Sequence, residues 1–179
     1  MPTIVHLTNE QLEAGLDHIR QSPKDGGTLE LIVRRPQTEE REVLETGELD
    51  PSYGLVGDNW CQRASADNPD TQLNIMNARA AALVAVDPNR MALAGDQLFI
   101  DIDLSDANLP AGSQLAIGSA IIEVTAIPHT GCKKFTERFG MDAVKFVNTG
   151  VGKELHLRGI NAKVVQAGTI QAGDIAKKV

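Results

Sequence analysis

Apolar and polar residues follow two different rhythms along this chain. Leu12, Leu16 and Ile19 recur at helical spacing, with Thr8 and Gln11 placed ahead of them as a capping box. Ser22-Pro23 and Asp25-Gly26-Gly27 end that helix and turn the chain. From Thr28 to Arg35 the period shortens to two: Leu29, Leu31 and Val33 alternate with Glu30, Ile32 and Arg34, a strand that Pro36 stops. Residues 37–50 carry many carboxylates around Val43 and Leu44, which predicts a strand with a solvated face. Asp50-Pro51, Gly54 to Asp58 and the polar stretch 61–70 read as loops.

Leu73 to Met76 reads as a short strand leading into an Ala-rich helix from Asn77 to Val86, which stops at Asp87-Pro88. Gln97 to Leu104 alternates again, and Ser119 to Ile127, beyond Gly112 and Gly118, is another strand. Lys133 to Phe139 forms a short helix closed by Gly140, and Asp142 to Asn148 a second one. Gly159 to Gln166, Thr169 to Gln171 and Asp174 to Lys178 are strands parted by Ala-Gly turns. Many short strands with glycine corners and a few short helices predict a mostly β fold, a β-barrel with helical decoration, α+β by content. No repeat or linker interrupts the pattern, so residues 1–179 read as one domain: a helix and turn in 1–27, then a barrel region in 28–179.

Composition narrows the function. The 179 residues are 42% hydrophobic and 23% charged, a globular balance that excludes a largely disordered chain. Aromatic content of 3% leaves no material for a stacking platform on single strands, and a net charge of −7 argues against any nucleic-acid partner. The charge is unevenly spread: basic residues dominate from His129 onward, which suits a small anionic ligand there, although a solvated surface gives the same pattern. Cys61 and Cys132 are far apart, so they form neither a disulfide framework nor a zinc knuckle. The opening Met-Pro-Thr-Ile-Val-His lacks a basic segment before an apolar run, and Ala80 to Val86 is too short to span a bilayer. A reducing cytoplasm and no membrane association are the expectation.

The reactive chemistry is concentrated in Pro128-His129-Thr130-Gly131-Cys132-Lys133-Lys134-Phe135. Cys132 follows a strand through a turn and opens a helix; the helix end and the two lysines favour thiolate over thiol. Gly131 lets backbone or ligand approach the sulfur, and His129 stands three residues away as an orienting or proton-exchanging group. The plainer alternatives are a small buried cysteine and a loop histidine bonded to backbone. Cys61, beside Trp60 in a polar loop, reads as inert, and His6, His18 and His156 have no ligand spacing. Three weaker groups could bind an anion: the loop Gly54 to Trp60, the junction holding Asn74, Asn77 and Arg79, and Arg158 against Gly159 at a strand mouth.

Taken in order, Gly54 to Asp58, Gln72 to Arg79, Leu93 to Leu98, Leu109 to Gly112, Leu115 to Gly118, Glu123 to Phe135, Leu157 to Ile160 and Gly168 to Asp174 form a series around one cysteine. That series resembles the MOSC domain, named for the C-terminal domain of molybdenum-cofactor sulfurases, and looks most like its short, free-standing bacterial members. The resemblance covers about residues 28–179. It implies a strongly bent β-barrel and makes Cys132 the functional cysteine, either carrying sulfane sulfur or ligating molybdenum in a pterin cofactor. On that reading His129 is a catalytic candidate beside Cys132. His129, Lys133, Lys134 and Arg158 would help hold an anionic pterin phosphate or stabilise the thiolate, and Asn74, Asp96 and Thr130 are further candidates for the cofactor pocket. The expected partners are a sulfur donor protein, a sulfurase or an electron-transfer protein. The pyridoxal-phosphate domain of the full sulfurases has no counterpart here, so pyridoxal phosphate is not expected on this chain. Two other roles stay open: a molybdenum-dependent reductase of N-hydroxylated compounds, and a non-catalytic interaction module.

Overall fold

The structure, a computed structural model, describes residues 3–179. Met1 and Pro2, where the reading for a leader begins, lie outside the described residues. Two short helices come first, α1 (Asn9–Ala14) and α2 (Leu16–Arg20), with the Thr8–Gln11 capping box formed in both directions. Gly15 divides them, and a Cβ there would stand 2.7 Å from Leu83 Cδ2.

The strands are β1 (Gly27–Arg34), β2 (Glu42–Leu44), β3 (Thr46–Asp50), β4 (Gly54–Leu55), β5 (Leu73–Asn77), β6 (Leu98–Ile100), β7 (Gln114–Ile117), β8 (Ala120–Val124), β9 (Ile160–Gln166), β10 (Gly168–Gln171) and β11 (Ile175–Lys178). Seven of them close into a barrel in the order β1-β6-β5-β9-β8-β7-β11 and back to β1. Every pairing in the ring is antiparallel except β5 with β6. Strand β2 flanks β1, while β10, β3 and β4 make a separate small sheet. The remaining helices are α3 (Ala78–Ala85), α4 (Lys133–Phe139), α5 (Met141–Asn148) and α6 (Val151–Glu154). Among the described residues no helix is long and apolar enough to cross a membrane.

Closure gives β1, β5 and β6 two buried faces, because alternate side chains point to opposite sides of a sheet. Ile32, Ile75, Leu98 and Ile100 join the cluster that fills the barrel. Their neighbours Val33, Met76 and Phe99 pack outward with Leu12, Val84, Phe135 and Phe139 of the helices. This departs from simple alternation in 28–35: an irregularity between Leu29 and Leu31 shifts the register, so Leu29 and Ile32 both face the interior.

Other elements differ from the periodicity as well. The expected strand 97–104 pairs only over Leu98–Ile100, although Ile102 and Leu104 remain in the core. The strand expected from Ser119 to Ile127 pairs only as far as Val124, and Gln114–Ile117 is a strand in its own right. The polar loop holds two 3-10 turns, Asn59–Gln62 and Pro69–Thr71. Helix α6 contains a glycine whose Cβ would fall 1.7 Å from Phe146 O, a tertiary demand that overrides its poor helix propensity.

Candidate functional site

The site is organised by the five residues that leave the 3-10 turn Pro88–Ala94 and enter β6. Gly95 caps that turn with φ 93°, a left-handed conformation open to glycine. Three consecutive carbonyls there are each taken by a different arginine. Arg138 Nη1 donates to Leu93 O, Arg158 Nη2 to Ala94 O and Arg35 Nη1 to Gly95 O, all at 2.9 Å. Gln97 continues the hub, accepting from Asn74 N at 2.8 Å and donating to Gln72 O at 3.0 Å.

Asp96 is fully buried in this hub and joins two functional candidates. Its Oδ2 accepts from Arg158 Nη1 at 2.7 Å, and its Oδ1 lies 3.1 Å from His129 Nε2. Burial alone would raise the Asp96 pKa, but the Arg158 charge and the His129 bond outweigh it and hold the carboxylate below its usual range. The His129 pKa is lowered as well: burial, then the nearby Arg158 charge, outweighs Asp96 and favours the neutral ring. At neutral pH the imidazole is therefore uncharged. Donation of Nε2–H to Asp96 leaves Nδ1 with the lone pair, the arrangement of a base held in one orientation. Arg158, 5% exposed, also lies over the Phe135 ring with 4.9 Å to the centroid, and its Nε has no partner.

Residues 125–132 run from β8 to α4 without regular structure, pinned by two asparagines. Asn161 Nδ2 donates to Ile127 O at 3.0 Å and Pro128 O at 3.3 Å, and its Oδ1 accepts from Asn74 Nδ2 at 2.7 Å. Asn148 Oδ1 accepts from Gly131 N at 2.7 Å, and its Nδ2 donates to Gly131 O at 3.2 Å. A Cβ on Gly131 would meet Val144 Cγ2 at 2.8 Å, so that glycine lets the loop seat on α5. Cys132 is the residue before α4, exposed, a free thiol, with no side-chain cap bond.

Beside this loop opens a cleft of about 400 Å³. His129, Thr130, Asn148, Lys153, His156 and Arg158 are among its polar lining, with Asp106 and Thr125, and Leu109, Val124, Ile127 and Ile160 are among its apolar walls. His156, held at φ 51°, pairs with Asp106 at its edge at 3.1 Å.

The sequence-derived candidates thus separate. His129, Thr130 and Arg158 line the cleft; Asp96 lies behind His129 and Arg158, and Asn74 supports the loop through Asn161. Cys132, Lys133 and Lys134 are exposed and outside the cleft lining. The lysines do not converge on the sulfur: Lys133 Nζ stands 4.0 Å from Glu137, and Lys134 Nζ is bound to Glu39 at 2.5 Å. The two anion-binding junctions upstream are internal braces. Asp58 of the glycine loop holds Arg35, Asn77 caps α3, and Arg79 pairs with Asp101. Cys61, expected to be inert, is itself exposed, with Sγ 3.7 Å from Asp58 O.

Sequence reasoning missed Arg35, Arg138, Asn148 and Asn161. Asn161 shares its strand with the charged Lys163, so its polarity alone did not single it out. The carbonyl targets of the arginines lie 45 to 64 positions away and leave no local trace.

A closed seven-stranded barrel with a cysteine-bearing loop beside a buried Asp–His–Arg cluster defines the class. The MOSC domain model matches residues 61–177, and the chain belongs to that family. Among solved structures it is similar to the YUAD protein from Bacillus subtilis, with TM-score 0.65 and 15% identity over 85% of this chain and 94% of that one. It is also similar to YiiM from Escherichia coli (TM-score 0.55, 21% identity, 85% of this chain and 69% of that one). YiiM from Geobacillus stearothermophilus gives TM-score 0.53 and 13% identity over 87% of this chain and 73% of that one. No curated protein matches the sequence.

Proposed function

We propose that this protein acts through Cys132 in molybdenum-cofactor or metal–sulfur metabolism, holding the cofactor or carrying a sulfane sulfur on that thiol. The observation that carries the reading is the placement of an exposed, uncapped cysteine on a loop whose third preceding residue, His129, is a neutral imidazole fixed by Asp96. A soft thiolate suits both molybdenum and sulfane sulfur. Among the described residues no three His, Cys, Asp or Glu side chains gather as a metal cage. The donor set therefore fits a metal that brings most of its ligands with it, as a pterin dithiolene does. Bound there, that group would supply the redox chemistry. The protein would contribute the Cys132 sulfur, the Arg158 and Lys153 charges for an anionic ligand, and a proton acceptor at His129.

The sulfur-carrier form needs only a donor protein bearing a persulfide. Cys132 thiolate attacks the outer sulfur of that persulfide, the donor S–S bond breaks, and the donor leaves as a thiol. Reduction of N-hydroxylated compounds is the second reading, favoured by one observation: a small, mostly apolar-walled cleft with a base on its rim suits a small organic substrate. It would require an electron-transfer partner.

The test is to isolate the protein under mild conditions from a host that makes molybdenum cofactor. Metal content and intact mass, before and after reductant, are compared with those of Cys132→Ala and Cys61→Ala. Molybdenum, or a mass gain of one sulfur atom, that disappears in Cys132→Ala alone is the expected result. A bare thiol with no metal in the wild type, or equal loading of all three, would overturn the proposal. Turnover of a hydroxylamine with an artificial donor separates the reductase from the carrier.

A further inference from the structure

A second cationic feature gathers at the same carbonyl hub, around Gly95. Residues Pro36 to Arg41 cross α4 as a strap, fastened by Glu39, which sits at φ 67°. Its two carboxylate oxygens are occupied by Lys134 Nζ at 2.5 Å and Arg138 Nη2 at 2.9 Å. The strap delivers Arg41 to Gly95. Arg41 Nη2 and Arg138 Nη1 lie 3.6 and 3.9 Å from the point a Cβ on Gly95 would occupy, and no other heavy atom beyond the adjoining residues comes within 4 Å of it. Beneath, Arg35 holds the Gly95 carbonyl.

The charges around this point are unbalanced. Asp58 is bound at both oxygens by Arg35, and Glu39 is shared between Lys134 and Arg138. Arg41 has no carboxylate within ion-pair distance among the described residues; its one hydrogen bond runs from Nη1 to Glu40 O at 2.8 Å. Its Nε is buried without a partner. A half-buried guanidinium with unused donors, set beside two like charges, is costly unless an anion joins it. Burial first, then Arg138 and Arg35, makes the Arg41 cation harder to keep charged, in line with that geometry.

We propose that Arg41 and Arg138, facing each other over the bare Cα of Gly95, bind a phosphate group, either inorganic phosphate or the terminal group of a phosphate monoester. Arg41 brings unused donors from the strap, and Arg138 on α4, whose Nη1 and Nη2 already bond Leu93 O and Glu39, adds its charge and its second N–H hydrogens. Such donors converging from two directions suit a tetrahedral anion, whose oxygens diverge, better than a planar carboxylate. Gly95 removes the side chain that would fill the position. Glu39 keeps the strap closed, so Arg41 is in place before any ligand arrives. The inference is independent of Cys132 and stands or falls without it.

The experiment is calorimetric titration of the whole chain at low ionic strength with inorganic phosphate, glycerol phosphate and acetate. One saturating site for phosphate, weakened about tenfold or more in Arg41→Gln and partly restored in Arg41→Lys, is the expected result for loss of a charge-assisted pair. Arg20→Gln, on the exposed end of α2, should bind as the wild type does. Tighter binding of glycerol phosphate than of inorganic phosphate assigns the monoester, and the reverse assigns the free anion. No phosphate heat in the folded wild type, equal binding by Arg41→Gln, or acetate binding as tight as phosphate would overturn the proposal. Circular dichroism of each variant confirms that the fold is kept, and Arg41→Lys keeps the test open should Arg41→Gln misfold.

Discussion

Asp96→Asn isolates the electrostatics of the buried cluster with almost no change of shape. In the wild type the Asp96 carboxylate is fully buried and faces Arg158, itself 5% exposed, at 2.7 Å. The amide cannot neutralise that guanidinium, and Arg158 stays charged in a site it cannot leave. Removing one partner of a buried pair costs about 3–5 kcal/mol. For a chain of this size each kcal/mol moves the melting temperature by roughly 2–4 °C, so a fall of about 6–20 °C is expected. Urea unfolding followed by the fluorescence of Trp60, which is buried and is the one tryptophan, gives the free energy directly. The folded pKa of Asp96 lies below its unfolded value, so its contribution is complete above the ordinary carboxylate range and is lost as pH falls through the folded pKa. Measurement at pH 7 therefore reads all of it. Adding Arg158→Met should make the double variant less destabilised than the two single losses summed, by about 2 kcal/mol, since the stranded charge is gone. A single-variant loss below about 1 kcal/mol, or strict additivity, would refute the assignment of Asp96 as the counter-charge.

Three further outcomes are expected. Because the folded pKa of His129 is depressed, its contribution to stability is complete above the ordinary histidine range and is lost as pH falls from about 6.5 toward the folded pKa. Unfolding curves at pH 7.5 and 5.5 should show a smaller drop for His129→Gln than for wild type, and equal drops would contradict it. Gly159→Ala places a Cβ 2.4 Å from Ile75 O and 3.1 Å from His129 Cδ2 at φ 123°, so it should cost at least about 2 kcal/mol in the same assay and detach His129 from Asp96. Lys133→Glu should leave the alkylation rate of Cys132 within about twofold, because the 90% exposed ammonium acts through water; a tenfold slowing would show that its field reaches the sulfur.

The features legible in the sequence were those written in neighbouring residues. Thr8 and Gln11 announce α1 three positions apart, Gly140 closes α4, and the alternation from Gly159 onward gives β9 to within a residue. Cys132 and His129 stand out for the same reason: their loop is one short run of reactive side chains. What escaped is long-range. Lys133 and Lys134 adjoin Cys132 in the chain, yet a helix start turns consecutive side chains apart, and Glu39, 95 positions away, claims Lys134. Asp96 looked like a pocket residue, but whether a carboxylate meets ligand or lies behind another side chain depends on which strands are neighbours. The irregularity in β1 has no residue signature either, since Leu31 and Ile32 are equally apolar.

The barrel has a seam, and it constrains how the chain can reach its folded form. Strand β1 meets β11 through two register pairs, Gly27 with Ala176 and Thr28 with Ile175. Leu29 adds bonds to the turn at Gly173 and Asp174, and Asp25 Oδ1 accepts from Lys178 N, 153 positions along the chain. Joining ends so far apart carries a large loop-closure entropy, so this junction forms after the local hairpins. Until then the sheet is an open arc whose β11 edge is bare and whose β1 edge is covered by β2 only over Ile32–Arg34, the form in which strands pair with other molecules and aggregate. One of those edges, β11, ends in Lys177 and Lys178, charges that discourage such pairing. Two lysines that play no part in the site thereby disfavour pairing with other chains at the edge that closes the ring.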